Sequence, residues 1–319
     1  MSPGPPPSGI DVEPLVRRHY GLEPTALRPG ERGYVSETWV VETAGDTYFA
    51  KLIPISRYLT NIVAALPVQK ELHDGGLRDM SYPIPTRDGA LSATLDTHIL
   101  VVNNFIDAEW TFDYPFEPFV GLIARLHQAT VHSPIEPETF EDPTVPGFEP
   151  RLDALLNGRS DNPSQLELQQ EVAPIRASLE AGLTRFRSLI QDIRASAQPP
   201  MVVTHHDAPG NVLKDAAGRI YLVDWDDVML APRERDTWFH LTTPRDRETF
   251  LPLYRRTFPN YAVDERMYAY YTLARYFEDI EGHIERVLAP ETTDEGKAEA
   301  LGYFRSDCAW LAEPVQAFL

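Results

Sequence analysis

Apolar and polar residues alternate with a period of two along the first third of the chain. Beyond about residue 116 the apolar positions recur every three or four residues. GYVSETWVVETAGDTYFAKLIP (33–54) alternates on both sides of Ala44-Gly45-Asp46 and predicts a β-hairpin. Arg57 to Gly75 predicts one helix, started or kinked at Pro67. PIPTRDGALSATLDTHILVVNNFI (83–106) predicts two more strands with a turn at Asp88-Gly89, so a sheet of about five strands carries one helix. FEPFVGLIARLHQAT (116–130) then aligns Phe119, Leu122, Ile123 and Leu126 on one helical face. Residues 133–163, rich in Pro, Asp and Asn, are expected to form a mobile loop. Gln165 to Ala195 predicts one or two long helices. A late helix capped by Asp264 carries Tyr270, Leu273, Phe277, Ile280, Ile284 and Leu288 on one stripe. One short hairpin interrupts this helical half: NVLKDAAGRIYLVDW (211–225), with its turn at Asp215 to Gly218.

Composition narrows the class. With 319 residues, 43 % hydrophobic and 24 % charged, the chain has the balance of a soluble globular protein large enough for two lobes. Its single cysteine, Cys308, forbids an intramolecular disulfide and points to a reducing cytoplasm. The start, MSPGPPPSGI, lacks a basic region followed by an apolar core and is expected to be a short disordered arm over 1–10. No apolar run approaches the roughly 18 residues that would span a bilayer. The net charge of −19 argues against nucleic acid as a partner, since phosphate backbones need stripes of Lys and Arg. It leaves two readings: an acidic soluble surface, or a cleft that attracts a cation. Nothing in the sequence sets the oligomeric state.

The chemistry gathers around VVTHHDAPGNVLKD (202–215). Phosphoryl transfer needs a carboxylate to take or orient the proton of the attacking hydroxyl, hard oxygens for magnesium, and a lysine for the α- and β-phosphates. The chain supplies them in the order protein kinases use: Lys51 on the strand Tyr48-Phe49-Ala50-Lys51, then His205-His206-Asp207, Asn211, and Asp224 after the next strand. Each residue alone is ordinary; the ordered set around a small hairpin is not. A metal-hydrolase reading of His205, His206 and Asp207 is weaker, because adjacent residues of an extended segment point to opposite sides and no His-Glu-x-x-His pattern exists.

THHDAPGNVL…YLVDWDDVMLAPRERDTWF resembles the aminoglycoside phosphotransferase family of small-molecule kinases, whose usual form is His-Gly-Asp, a spacer, Asn-Val-Leu, and a strand ending in Asp-Trp. DWDDVMLAPRERD is the more specific part and is similar to the spectinomycin-phosphorylating members. LIARLHQAT and ELHDGGL also resemble family segments. The resemblance implies an α+β, bilobal protein-kinase-like fold: an N-terminal ATP-binding lobe over 11–102 with an antiparallel sheet and a helix, a hinge at about 102–106, and a mostly helical catalytic and acceptor-binding lobe over 103–319. It implies ATP (or GTP) and Mg2+ as cofactors. Lys51 would hold the phosphates, with Gly33 and Ser36 of the preceding loop beside them, and Asn103 and Phe105 would meet the base at the hinge. Asp207 would be the catalytic base, supported by His205. Asn211 and Asp224 would hold magnesium, and Asp236 would be the buried brace of the loop.

Three departures from the family pattern stand out. Asp207 and Asn211 are four apart where the family has five, so either one loop residue is missing and Asp207 keeps its role, or His206 takes the place of the base. The first preserves His-x-Asp after the strand and is the reading taken. No acid stands at Val63 to Ala65, where the helix partner of Lys51 is expected; Gln69 and Glu71 come too late, leaving Asp224 as its partner when magnesium is absent. The loop RPGERGYVSE lacks a glycine-rich pattern. For the acceptor, Asp226, Asp227 and Glu234, with Glu278, Asp279 and Glu281 and the aromatics Tyr270, Tyr271, Tyr276 and Phe277, suit a cationic small molecule such as an aminocyclitol or aminoglycoside. The alternatives are a choline, homoserine or sugar kinase of similar fold, or a nucleotide-binding scaffold with weak catalysis.

Overall fold

The computed structural model describes residues 8–30, 36–55, 59–142, 144–197, 199–290, 292–316 and 318. The expected arm over 1–7, Gly33, and the first residues of the predicted helix at 57–58 lie outside them. The chain divides into two compact units: one of residues up to Pro137 with Met201–Ala231 and Arg256–Phe258, the other of Glu138–Pro200, Pro232–Arg255 and Pro259–Leu319.

The first unit is built on a five-stranded sheet. It begins with helix α1 (Val12–Tyr20), followed by β1 (Pro24–Pro29), β2 (Glu37–Thr43), β3 (Thr47–Pro54), α2 (Leu59–Asp74), β4 (Ala93–Thr94) and β5 (His98–Asn104). The strand order is β1-β2-β3-β5-β4. The paired strands β1-β2, β2-β3, β3-β5 and β4-β5 all run antiparallel. The period of two on β3 decides what each face does. Ala50 and Leu52 pack with Val41, Leu100 and Val102 against Val12, Val16 and Tyr20 of α1. Ile53 points the other way and packs with Ile99 and Val101 against Ile62 and Leu66 of α2. Burying such side chains contributes about 1.5–3 kcal/mol each. Lys51 lies between Ala50 and Leu52 and so leaves on the α2 face. Helix α1 is absent from the sequence expectation, and so is the cover it gives to the far face.

A second small sheet, order β6-β8-β9, joins β6 (Glu109–Trp110) to the hairpin of β8 (Val212–Lys214) and β9 (Ile220–Leu222). Helix α3 (Phe116–Gln128) buries Phe119, Leu122, Ile123 and Leu126, the predicted stripe. Strand β7 (Val202–Thr204) pairs with β10 (Met229–Ala231), so both ends of the hairpin segment are clamped together. The hairpin turns at Asp215, whose Oδ1 accepts the N–H of Ala217 and Arg219, and Gly218 takes φ 82°, which suits a residue without Cβ.

The second unit is helical: α4 (Val145–Asn157), α5 (Pro163–Ala195), α6 (Glu234–Thr237), α7 (Pro244–Tyr254), α8 (Glu265–Leu288) and α9 (Asp294–Gln316). α4 corrects the loop expected over 133–163. Pro146 stands in its first turn, where a missing N–H costs nothing, and Phe148, Leu152 and Leu155 are buried at helical spacing. α5 is one helix, capped by Asn162 accepting from Gln165 N–H. α8 starts at Asp264 as expected, its Oδ1 accepting from Arg266 N–H. Phe148, Phe186, Phe277 and Tyr270 pack at ring-centroid distances of 5.0 to 5.8 Å into an aromatic core. Among the described residues no helix is long and apolar enough to cross a membrane.

Candidate active site

Six of the residues expected to bind nucleotide or metal line one cavity of about 560 Å³ in the first unit: Ser36, Lys51, Asn103, Phe105, Asn211 and Asp224. Asp226 and Trp110 line it too. The geometry follows from the strands. Thr38, Lys51 and Val101 are cross-strand neighbours, as are Val40, Phe49 and Asn103, so two side-chain rows of the sheet form one wall. Asn211 and Asp224 come from either end of the β8–β9 hairpin, where Val223 N–H donates to the Asn211 carbonyl over 3.1 Å.

Lys51 Nζ lies 3.3 Å from Asp224 Oδ1, with 23 % and 52 % of the two side chains exposed. Burial works to lower the Lys51 ammonium, but the carboxylates of Asp224 and Asp226 outweigh it and hold the group above its ordinary value. Burial pushes the Asp226 carboxyl up to about 6, against Lys51 and aided by the charges of Asp224 and Asp227. Helix α2 supplies no acid to Lys51. Glu71 accepts the backbone N–H groups of His132 and Ser133 at 2.6 and 2.8 Å, which hold its carboxyl below the usual range. Of α2, Ile62, Leu66 and the buried Gln69 line a small cavity together with Lys51, Asn103, Asp224 and Asp226, and Gln69 is the polar one among them.

The catalytic-loop candidate is a single turn of 3-10 helix, Ala208–Gly210, headed by Asp207. Gly210 N–H donates to the Asp207 carbonyl and Asn211 N–H to the Ala208 carbonyl, both at 3.2 Å. Asn211 Nδ2 donates to the same Asp207 carbonyl at 2.9 Å. A Cβ on Gly210 would stand 3.2 Å from Asp207 Oδ2, so the turn passes close beneath the carboxylate. Two aromatics hold it from outside: Trp110 Nε1 donates to the Gly210 carbonyl at 2.8 Å, and the Tyr114 hydroxyl to the Pro209 carbonyl at 3.4 Å. Burial and the negative charge of Asp207 push the Tyr114 hydroxyl up to about 12. Sequence reasoning missed Trp110 and Tyr114, and nothing in their local pattern marks them.

His205 is 1 % exposed; its Nε2 donates to the Val223 carbonyl at 2.9 Å and its ring meets Trp225 edge-on at 4.6 Å. The bond ties the loop to the residue before Asp224. His206 has φ 93° and Asp224 φ 64°. Both lie in the left-handed region, which glycine adopts freely and a residue with a Cβ adopts uncommonly. His206 Nδ1 is 4.0 Å from Asp227 Oδ2.

The donor set fits a hard divalent cation. Asn211 spends its amide N–H on Asp207 and leaves its amide oxygen, while the carboxylates of Asp224 and Asp226 open on the same cavity. No group of three or more His, Cys, Asp or Glu side chains able to hold a metal occurs among the described residues, so such a site would rely on nucleotide oxygens as well.

The expected acceptor acids fall in different settings. Asp226 and Asp227 belong to the first unit, Asp226 beside Lys51. Glu234, in the second unit, is buried; its Oε1 accepts from the Tyr261 hydroxyl at 2.8 Å and from Asp264 N–H at 3.1 Å, tying α6 to the start of α8. Asp236 is buried in the same short helix. On α8, Glu278 is exposed. Asp279 accepts from Arg275 Nε at 2.9 Å, and burial pushes its carboxyl up to about 6. Glu281 pairs with Arg151 at 2.6 Å.

Known structures share this architecture. Spectinomycin phosphotransferase in complex with ADP and spectinomycin superposes with a TM-score of 0.79 at 20 % identity, over 97 % of this chain and 100 % of that one. A microcompartment-associated aminopropanol kinase gives 0.67 at 15 % identity over 95 % and 97 %. Choline kinase LicA from Streptococcus pneumoniae gives 0.58 at 16 % over 94 % and 97 %. The α+β, kinase-like fold expected from the sequence is the fold these structures have. No curated protein matches the chain by sequence. A model of the phosphotransferase enzyme family matches residues 26–270, more than three quarters of the chain and every residue lining the candidate cavity, so the protein is a member of that phosphotransferase family.

Proposed function

We propose that the protein transfers the γ-phosphoryl group of ATP to a hydroxyl of a small cationic acceptor, in the class of aminocyclitols and aminoglycosides. One observation carries the reading: Lys51 and Asp224 meet at 3.3 Å on a cavity that also receives Ser36, Asn103, Phe105 and Asn211, with Asp207 at the head of the adjoining turn. Lys51 pairs the nucleotide phosphates, exchanging Asp224 for phosphate oxygens. Phe105 and the backbone after β5 meet the base, and Ser36 lies at the phosphate end. Asp207 accepts the proton of the attacking hydroxyl, a role for which a positioned carboxylate contributes roughly 10²–10⁴-fold. Asn211 and Asp224, joined by Asp226, would hold magnesium, which when bound neutralises charge on the β- and γ-phosphates. His205 keeps the two ends of this apparatus in register. His206 occupies the glycine position with a left-handed backbone, which favours Asp207 over His206 as the base.

The acidic chain, at −19, and the amine-bearing acceptors named for three structural relatives support a cationic acceptor. Spectinomycin, aminopropanol and choline are all hydroxyl-bearing cations, so small amino alcohols are the second reading. Of the acids expected on the helical unit, Glu234 is spent on Tyr261 and the start of α8 and Asp279 on Arg275, which leaves the exposed Glu278. The test is a phosphorylation panel of spectinomycin, aminoglycosides, aminopropanol, choline and homoserine with magnesium and ATP, run with D207N and D224A. Turnover of a cationic alcohol, lost in both variants, is expected. Nucleotide binding without turnover of any hydroxyl substrate would favour the scaffold reading, and turnover of homoserine alone would remove the cationic one.

A further inference from the structure

Residues 105–115, FIDAEWTFDYP, run from β5 past β6 to α3, and two of their aromatic rings lie open to solvent. Trp110 is 47 % exposed and Phe112 67 %, although burying such rings is strongly favourable. Their centroids are 4.6 Å apart with the planes at 75°, so the pair forms an open corner and not a flat stack. Trp110 lines the large cavity and stands across from Leu213 on β8. Its N–H is spent on the Gly210 carbonyl at 2.8 Å, and Gly210 passes beneath the Asp207 carboxylate. Phe112, two residues on, is outside the lining of that cavity. The corner therefore lies beside the cavity and within a small molecule's length of Asp207. Its surroundings are acidic. The segment carries Asp107, Glu109 and Asp113, all exposed, and no lysine or arginine. Lys214 of β8 meets Asp113 at 3.1 Å.

We propose that Trp110 and Phe112 form a cation-binding corner for the acceptor: their ring faces hold an ammonium group of the acceptor while its hydroxyl reaches Asp207. The assignment rests on the cationic-acceptor reading above and gives that acceptor a place in the first unit. Aromatic faces attract a cation through the ring quadrupole, and two planes near a right angle offer it two faces at once. The three carboxylates add a negative field at the same corner, which concentrates a cation there and repels an anion. The acids expected on the helical unit offer less, because Glu234, Asp279 and Glu281 have protein partners. Large exposed rings side by side at the rim of a cavity are what a ligand, and not the fold, covers.

The experiment measures KM and kcat for spectinomycin, aminopropanol and choline in the wild type, F112A, F112L and F112Y. F112A and F112L are expected to raise the acceptor KM about tenfold with kcat little changed, and F112Y, which keeps the ring face, to stay within about twofold of the wild type. The KM for ATP should not move, because Phe112 does not line the cavity, and neither should the melting temperature, because the side chain is exposed. A wild-type KM in F112L would show a plain apolar contact and overturn the assignment. So would an unchanged acceptor KM in F112A, an equal rise in the KM for ATP, or a melting temperature lowered by several degrees. A wild-type dimer that dissociates in F112A, read by sedimentation, would show that a second copy covers the corner and would also overturn it. If the wild type phosphorylates none of the three alcohols, the cationic-acceptor reading falls and the assignment with it. Phosphorylation with an unchanged KM in F112A removes only the corner.

Discussion

His240 gives the second unit a pH-dependent stability whose sign and size follow from its surroundings. The ring is 7 % exposed, stacked on Phe250 at 5.5 Å and 13°. Burial lowers its pKa from 6.5 to about 4, with the charge of Asp246 pulling the other way. Between these values the unfolded chain binds a proton that the folded one refuses, so stability is complete above pH 6.5 and is lost as pH falls towards 4. At pH 5 the loss from this one group is about 2 kcal/mol, from 1.5 pH units at about 1.4 kcal/mol each. Urea unfolding at pH 7.5 and 5.0, in the wild type and in H240Q, isolates it: the acid-induced loss should be about 2 kcal/mol smaller in the variant. Carboxylates and the other histidines contribute equally to both proteins and cancel. An identical loss in the two, or an NMR titration of the wild-type ring with a midpoint near 6.5, would refute the reasoning. The NMR result stands even if H240Q folds poorly.

Three further outcomes are expected. H206G replaces a side chain held at φ 93° and should gain about 1 kcal/mol of stability with activity retained; a fall of more than a hundredfold in kcat would instead identify the imidazole as the base. W110F keeps an aromatic ring, though a smaller one, and removes the 2.8 Å bond to Gly210, and should lower kcat about tenfold in steady-state assays by loosening the turn under Asp207; an unchanged kcat would mean the turn holds itself. H205A leaves the Val223 carbonyl unpaired beside a new void at Trp225, and should lose about 3 kcal/mol of stability in chemical denaturation; a loss below about 1 kcal/mol would show that the loop and Asp224 are held in register by other contacts.

What could be read from the sequence was chemistry carried on short stretches. Lys51 was legible because the alternation of β3 fixes the face on which it leaves, and Asn211 and Asp224 because a short hairpin leaves little freedom in where its ends go. The covering helices were harder. Helix α1 has only three buried residues, Val12, Val16 and Tyr20, and its strongest signs are its ends: Asp11 accepting from Glu13 N–H and Gly21 at φ 69°. Those signs sit behind a proline-rich start and were passed over. α4 was hidden by composition, since Pro, Asp and Asn outnumber the apolar residues that bury it. The fate of individual acids was not legible. Glu234 and Glu71 become acceptors for groups distant in sequence, Tyr261, Asp264, His132 and Ser133, and no local pattern announces a long-range hydrogen bond.

The four-residue spacing of Asp207 and Asn211 joins these lessons. A loop shorter than the family form must place the same two side chains with less chain, and the 3-10 turn does so by folding Gly210 N–H and the Asn211 amide back onto one carbonyl, that of Asp207. The residue entering the turn, His206, is left-handed, a conformation glycine would adopt freely. Strain of this kind persists only when the surroundings over-determine it. Here the surroundings are identifiable: Trp110 and Tyr114 on the outer carbonyls, and His205 on the strand end before Asp224. On the proposed assignment the missing residue therefore leaves the base and the metal ligand linked through one carbonyl. The site's precision then depends on two aromatic side chains about a hundred residues away in sequence.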